Sequence, residues 1–107
     1  MKGYQITFFT QQDHMHHGKA LGQWLLLLAR ELELPGATMI AGSEGYGHHR
    51  RIHSSHFFEL ADQPQEIQIA ASEADTVRLF ERLKAEGVHV FYVKTLVEFG
   101  VLGEAES

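Results

Sequence analysis

The chain alternates between the two hydrophobic periods of secondary structure, and the order of that alternation leaves few folds open. In Tyr4-Gln5-Ile6-Thr7-Phe8-Phe9-Thr10 the apolar residues Tyr4, Ile6 and Phe8 recur at every second position, the pattern of a half-buried strand. From Gly18 to Glu33, the residues Leu21, Trp24, Leu25, Leu28 and Leu32 follow the i, i+3, i+4, i+7, i+11 spacing of one helical face. Leu26 and Leu27 lie off that stripe and leave apolar surface for either extra core or a subunit contact. Leu34-Pro35-Gly36 is expected to stop the helix, since proline cannot continue it and glycine accepts the left-handed conformation at its end.

A strand of small residues follows at 37–43 and leads into a glycine-punctuated segment. Ile52 to Leu60 regains strand character with polar and apolar residues on both sides, as expected of an edge or projecting strand. After the turn-like Ala61-Asp62-Gln63-Pro64, the alternation of Ile67, Ile69 and Ala71 with polar residues predicts a core strand with one wet face. Ser72 is placed to cap a second helix, with Glu73 and Asp75 in its first turn, a stripe of Ala74, Val77, Phe80 and Leu83, and Gly87 as its stop. Val88 to Phe99 is rich in β-branched and aromatic residues and reads as the last and best-covered strand; Gly100 to Ser107 reads as a frayed acidic tail. This order is the split βαβ pattern of a ferredoxin-like α+β sandwich: an antiparallel sheet, two helices on one face, and an elaborated hairpin loop between the second and third strands. The open sheet face invites assembly, for which closed cyclic symmetry is the usual solution.

Composition narrows the partners. At 107 residues the chain is expected to be a single domain, residues 1–107. The 14 acidic against 9 basic residues give a formal charge of -5, and a pI near 5.9, so nucleic acid is not an expected partner despite Arg50-Arg51. The absence of cysteine excludes disulfides, thiolate metal sites and a cysteine nucleophile, and fits a reducing compartment. Met1 to Gln5 runs into strand pattern with no signal-peptide region, and the longest apolar run, Trp24 to Ala29, is too short to span a bilayer. A cytoplasmic location without membrane insertion is therefore expected.

Polar chemistry gathers in two places. Between Gly36 and His56, Gly42, Gly45 and Gly47 lie close together and open onto Arg50, Arg51 and several histidines. Glycines at this spacing suit a loop whose amides face an anion, the competing reading being a solvated hairpin excursion. The second place is His14, His16 and His17, imidazoles suited to copper, nickel or zinc, with solvated loop histidines as the competing reading. Catalysis is not expected. Ser55 and His56 are adjacent on a strand and point to opposite faces, and no glycine-x-serine-x-glycine elbow surrounds Ser54 or Ser55.

Lys2-Gly3-Tyr4, His17-Gly18-Lys19, Gly36-Ala37-Thr38, and Gly42-Ser43-Glu44-Gly45-Tyr46-Gly47 followed by Ile52-His53 together resemble the bacterial domain-of-unknown-function family 190, whose members are similar to the PII signalling proteins. The resemblance covers Met1 to about Phe99 and implies a PII-like ferredoxin fold, a homotrimer, and a regulatory role in sensing small molecules. It also implies a ligand, an adenine nucleotide or another anionic metabolite, in a cleft where Gly45, Tyr46 and Gly47 meet the neighbouring subunit; Arg50 and Arg51, which would add charge, and His53 complete the candidate ligand residues. Gly47 to His56 would then be a loop presented to a membrane transporter or enzyme partner. The chain departs from the PII pattern before its last strand, where Lys84-Ala85-Glu86-Gly87-Val88 replaces a glycine-rich basic loop, and this points to a smaller or differently held ligand. Two other readings stand beside this one. One is divalent metal binding of the kind found in the PII-like CutA copper-tolerance proteins, with ligands from His14, His16, His17, His48, His49, His53 and His56; the other is a ligand-free adaptor subunit.

Overall fold

The computed structural model describes residues 1–42, 44–46, 52–54 and 63–103. Its centre is a sheet built on β1 (Lys2–Gln11), which pairs antiparallel with β7 (Pro64–Ser72) on one side and β8 (Phe91–Glu98) on the other, while β4 (Ala37–Ala41) extends the sheet beyond β7. The strand order β4-β7-β1-β8, with α1 (Leu21–Glu31) and α2 (Glu73–Ala85) as the two crossovers, is the ferredoxin-like arrangement. The remaining strands form two short ladders, β2 (Met15–His16) with β3 (Lys19–Ala20) and β5 (Glu44–Tyr46) with β6 (Ile52–Ser54). The fold class is the one the hydrophobic periods predict.

The core lies between one face of the sheet and the helices. Ile6 and Phe8 from β1 and Ile67, Ile69 and Ala71 from β7 meet Leu21, Leu25, Leu28 and Ala29 from α1 and Leu79 and Leu83 from α2. Leu26 is half-buried against this core, so it is extra core rather than surplus surface, whereas Leu27 is exposed. Ser72 caps α2 as expected, its hydroxyl accepting from the Asp75 amide at 3.1 Å. Gly87 ends that helix at φ +69°, with the amides of Gly87 and Val88 donating to the carbonyls of Lys84 and Leu83.

Four expectations are corrected. The first helix begins at Leu21 rather than Gly18, because Lys19 and Ala20 pair with His16 and Met15 across a two-residue turn, so the segment of His16 and His17, read as a polar loop from Gln11 to His17, is partly a hairpin. Both central residues of that turn have positive φ, 51° at His17 and 78° at Gly18, as the favoured hairpin turns demand. Helix α1 is closed not at Gly36 but by Glu33 in the left-handed region at φ 58°, with Leu34 donating back to Ala29.

The α2 stripe is also different: Thr76, Leu79 and Leu83 are buried, and Val77 is 51% exposed. Steps of three residues fall behind the helical period by about 60° each, so Ala74, Val77 and Phe80 drift around the helix instead of sharing a face. Finally, β8 is the least covered strand of the main sheet. It is an edge strand, exposed from Phe91 to Leu96, because α2 lies over β1 and β7 and meets β8 where Phe80 packs on Tyr92 at 4.9 Å. β-Branched and aromatic residues report strand propensity, not coverage. Residues 104–107 of the expected tail lie outside the described residues.

Candidate functional site

The connection from β4 to β7 carries the glycine-punctuated segment; its two ends are tied together by the Gly42 amide, which donates to the Pro64 carbonyl at 2.8 Å, and its far end is fastened to the residue after β1, where the Gln12 amide donates to the Gln63 carbonyl at 3.0 Å. Within it, the β5–β6 ladder sets Gly45 opposite His53 and Tyr46 opposite Ile52, so three of the predicted ligand residues share one two-stranded unit. Gly47, Arg50 and Arg51 lie outside the described residues, as do His48, His49 and His56.

The other predicted cluster has defined side-chain geometry. His16 ends β2 and His17 opens the turn to β3; the left-handed backbone at His17 breaks the alternation that would send consecutive side chains to opposite sides. Their rings meet edge to face at 4.2 Å, and His16 packs on Trp24 of α1 at 4.4 Å. His17 Nε2 lies 2.9 Å from Glu86 Oε1, and His16 Nε2 lies 3.6 Å from the same oxygen. His14 stands apart from this group, with Nδ1 3.2 Å from Thr10 Oγ1 and its carbonyl accepting from the Leu21 amide.

Glu86, at the C-cap of α2, is the residue that sequence reasoning missed; its 69-residue separation from His17 leaves no local signal. The hydrogen bond from His17, and then that from Arg82, holds the Glu86 carboxyl below the usual carboxylate range. Because the shift is downward, the tie between hairpin and helix is complete above the ordinary carboxylate range and is lost as pH falls through the lowered value. Arg82 in turn is raised by Glu31, with Nη1 2.6 Å from Glu31 Oε2 and Nε 3.3 Å from Glu86 Oε2, so both helices and the hairpin share one chain of charges.

A family model described as Uncharacterized ACR, DUF190, matches residues 3–95. The chain belongs to the DUF190 family. This DUF190 chain is 30% identical over 82 residues to the UPF0166 protein of Aquifex aeolicus (strain VF5), an alignment spanning 76% of this chain and 78% of that protein. Among solved structures it resembles CPII, a nitrogen regulatory PII-like protein from Thiomonas intermedia K12 bound to ADP, AMP and bicarbonate, with a TM-score of 0.61 and 19% identity over 91% of this chain and 89% of that one. It also resembles a putative PII-like signaling protein from Thermus thermophilus, with a TM-score of 0.58 and 17% identity over 91% and 86% of the two chains. At these identities the likeness is one of fold, and the fold is PII-like. Among the described residues no helix is long and apolar enough to cross a membrane.

Proposed function

We propose that this DUF190 chain is a cytoplasmic PII-like regulatory protein that binds an adenine nucleotide or a smaller anion between the subunits of a homotrimer and presents the segment after Gly47 to a partner. The observation that carries the reading is the likeness of nearly the whole chain to CPII, whose structure holds ADP, AMP and bicarbonate. It is joined by the glycine-punctuated segment tied at its base and the Gly45–His53 ladder. Amides freed by the glycines would donate to phosphate oxygens, Arg50 or Arg51 would add charge, and Tyr46 would stack on the base. The turn at Lys84–Val88 is occupied by Glu86 and its partners His17 and Arg82, which favours a ligand smaller than a fully cradled triphosphate.

ADP, AMP or bicarbonate at millimolar concentration is expected to raise the melting temperature. The Arg50→Ala, Arg51→Ala double variant is expected to lose about 1–3 kcal/mol of nucleotide affinity, the scale of charge-assisted hydrogen bonds. If neither the nucleotides nor bicarbonate shifts the wild-type melting curve, the ligand-free adaptor becomes the better reading.

The trimer rests on the exposed apolar edge. Leu96 is 75% exposed, and Phe91, Tyr92 and Val93 accompany it on β8, with the Phe91 ring packed at a tilt against Phe9, centres 5.7 Å apart, on the sheet face away from the helices. An edge strand this apolar is ordinarily covered by another chain. Light scattering at micromolar concentration is expected to return three times the chain mass; a monomer mass would exclude the assembly.

A further inference from the structure

We infer that His16, His17 and Glu86 form a three-ligand site for a borderline divalent cation of the zinc, nickel and copper group. Their ligand atoms all lie within 4.8 Å of one another. A tetrahedral ion with bonds of about 2.1 Å holds its ligand atoms about 3.4 Å apart. The two distances to Glu86 Oε1, 2.9 Å from His17 and 3.6 Å from His16, bracket that value, so an ion can enter with small side-chain shifts.

The second observation is His16 itself. Its side chain is 16% exposed, yet Nε2 is buried and has no hydrogen-bond partner among the described residues. A buried nitrogen left unpaired is unfavourable, and a cation at the Glu86 oxygen would give it a bond. Packing against Trp24 and His17 holds the ring in place, so the nitrogen is directed at the carboxylate rather than free to turn to water.

The surroundings suit a cation. Arg82 Nε engages Glu86 Oε2 and leaves Oε1 turned to the histidines, the kind of outer contact that orients a ligating carboxylate. The charge of Arg82 is offset by Glu31 at 2.6 Å, so two carboxylates face one guanidinium and the ion-pair chain is net negative before any ion arrives. Two imidazoles and one carboxylate are a donor set for zinc, nickel or copper rather than for calcium or magnesium, and three protein ligands leave a position open.

The test uses full-length, tag-free protein stripped with a chelator and titrated calorimetrically with zinc chloride, then with the nickel and copper salts. One ion per chain is expected. His17→Ala and Glu86→Gln should each weaken zinc binding at least about tenfold, while His14→Ala leaves it unchanged. His17 is 65% exposed on the hairpin turn, so its replacement is not expected to unfold the chain, whereas His16→Ala would also strip packing from Trp24. Zinc should raise the melting temperature of wild type by more than that of His17→Ala at the same zinc concentration. Absence of zinc, nickel and copper binding, or affinity unchanged in both His17→Ala and Glu86→Gln, would overturn the site; the latter result would assign the metal to other histidines.

Discussion

Phe8→Ala should lower the stability of the folded chain by about 3–5 kcal/mol, the range for removing a fully buried aromatic ring. Phe8 is 0% exposed and sits in the central strand between Ile67 of β7 and Tyr92 of β8, so neighbours on both sides are fixed by the ladder. Above it, Phe80 of α2 lies with its ring centre 6.2 Å away and is itself braced by Tyr92. Lys94 Nζ caps this layer over the rings of Tyr4 and Phe80, at 4.6 and 5.6 Å. With the strand held from both sides, the cavity cannot close by moving backbone, and most of the loss should persist after relaxation. Urea unfolding at fixed protein concentration should show a lower midpoint with an unchanged slope. Leu27→Ala, at an exposed position on α1, should change the midpoint little. A loss below about 1 kcal/mol for Phe8→Ala would mean that the layer beneath α2 is not the core.

The strands and caps that rest on local pattern were legible in the sequence. Alternation placed Ile6, Phe8, Ile67, Ile69 and Ala71 on one face because a strand's period of two admits no other phase, and their burial follows it. Ser72 and Gly87 were legible because each acts within one turn of its helix. What depends on the third dimension was not. The exposure of β8 follows from its place at the end of the sheet order, which its own composition does not encode. The expected α2 stripe stepped by threes and so left the helical period, whereas Thr76, Leu79, Phe80 and Leu83 keep the i, i+3, i+4, i+7 spacing and are the residues turned to the core. The same division runs through the sites. His16 and His17 stood out as neighbours, but Glu86 reaches them from the far end of α2, through tertiary packing. The family resemblance put Gly45 and His53 at one ligand site, but their ladder pairing comes from the fold and had no signal in the sequence.

Gly3→Ala should be the most damaging conservative substitution in the described part of the chain, with a loss of about 3 kcal/mol or more. Lys2-Gly3-Tyr4 is one of the stretches that carry the family resemblance, and the structure gives its glycine a steric role. β7 passes into α2 with no intervening residue, and the corner of that turn crosses directly over Gly3, whose ladder partner is Ser72. An added Cβ would stand 2.8 Å from the Ser72 Cα and 2.9 Å from the Ala71 carbonyl carbon, and closer still to the Ala71 oxygen. These are backbone atoms and cannot step aside as a flexible side chain can. Ser72 is also the cap of α2, so any retreat of the corner disturbs the bond to the Asp75 amide. The contrasting variant is Gly36→Ala. Among the described residues no atom lies within 4 Å of a Cβ there, and its φ is not positive, so the substitution should be neutral or stabilise by up to about 1 kcal/mol through the unfolded state. The urea midpoint should therefore fall for Gly3→Ala and hold or rise for Gly36→Ala, or for Gly3→Ala the soluble folded protein should fail to accumulate. A Gly3→Ala protein as stable as wild type would mean that the strand-to-helix corner yields without loss, and the tight backbone packing at Gly3 would not be a constraint on the fold.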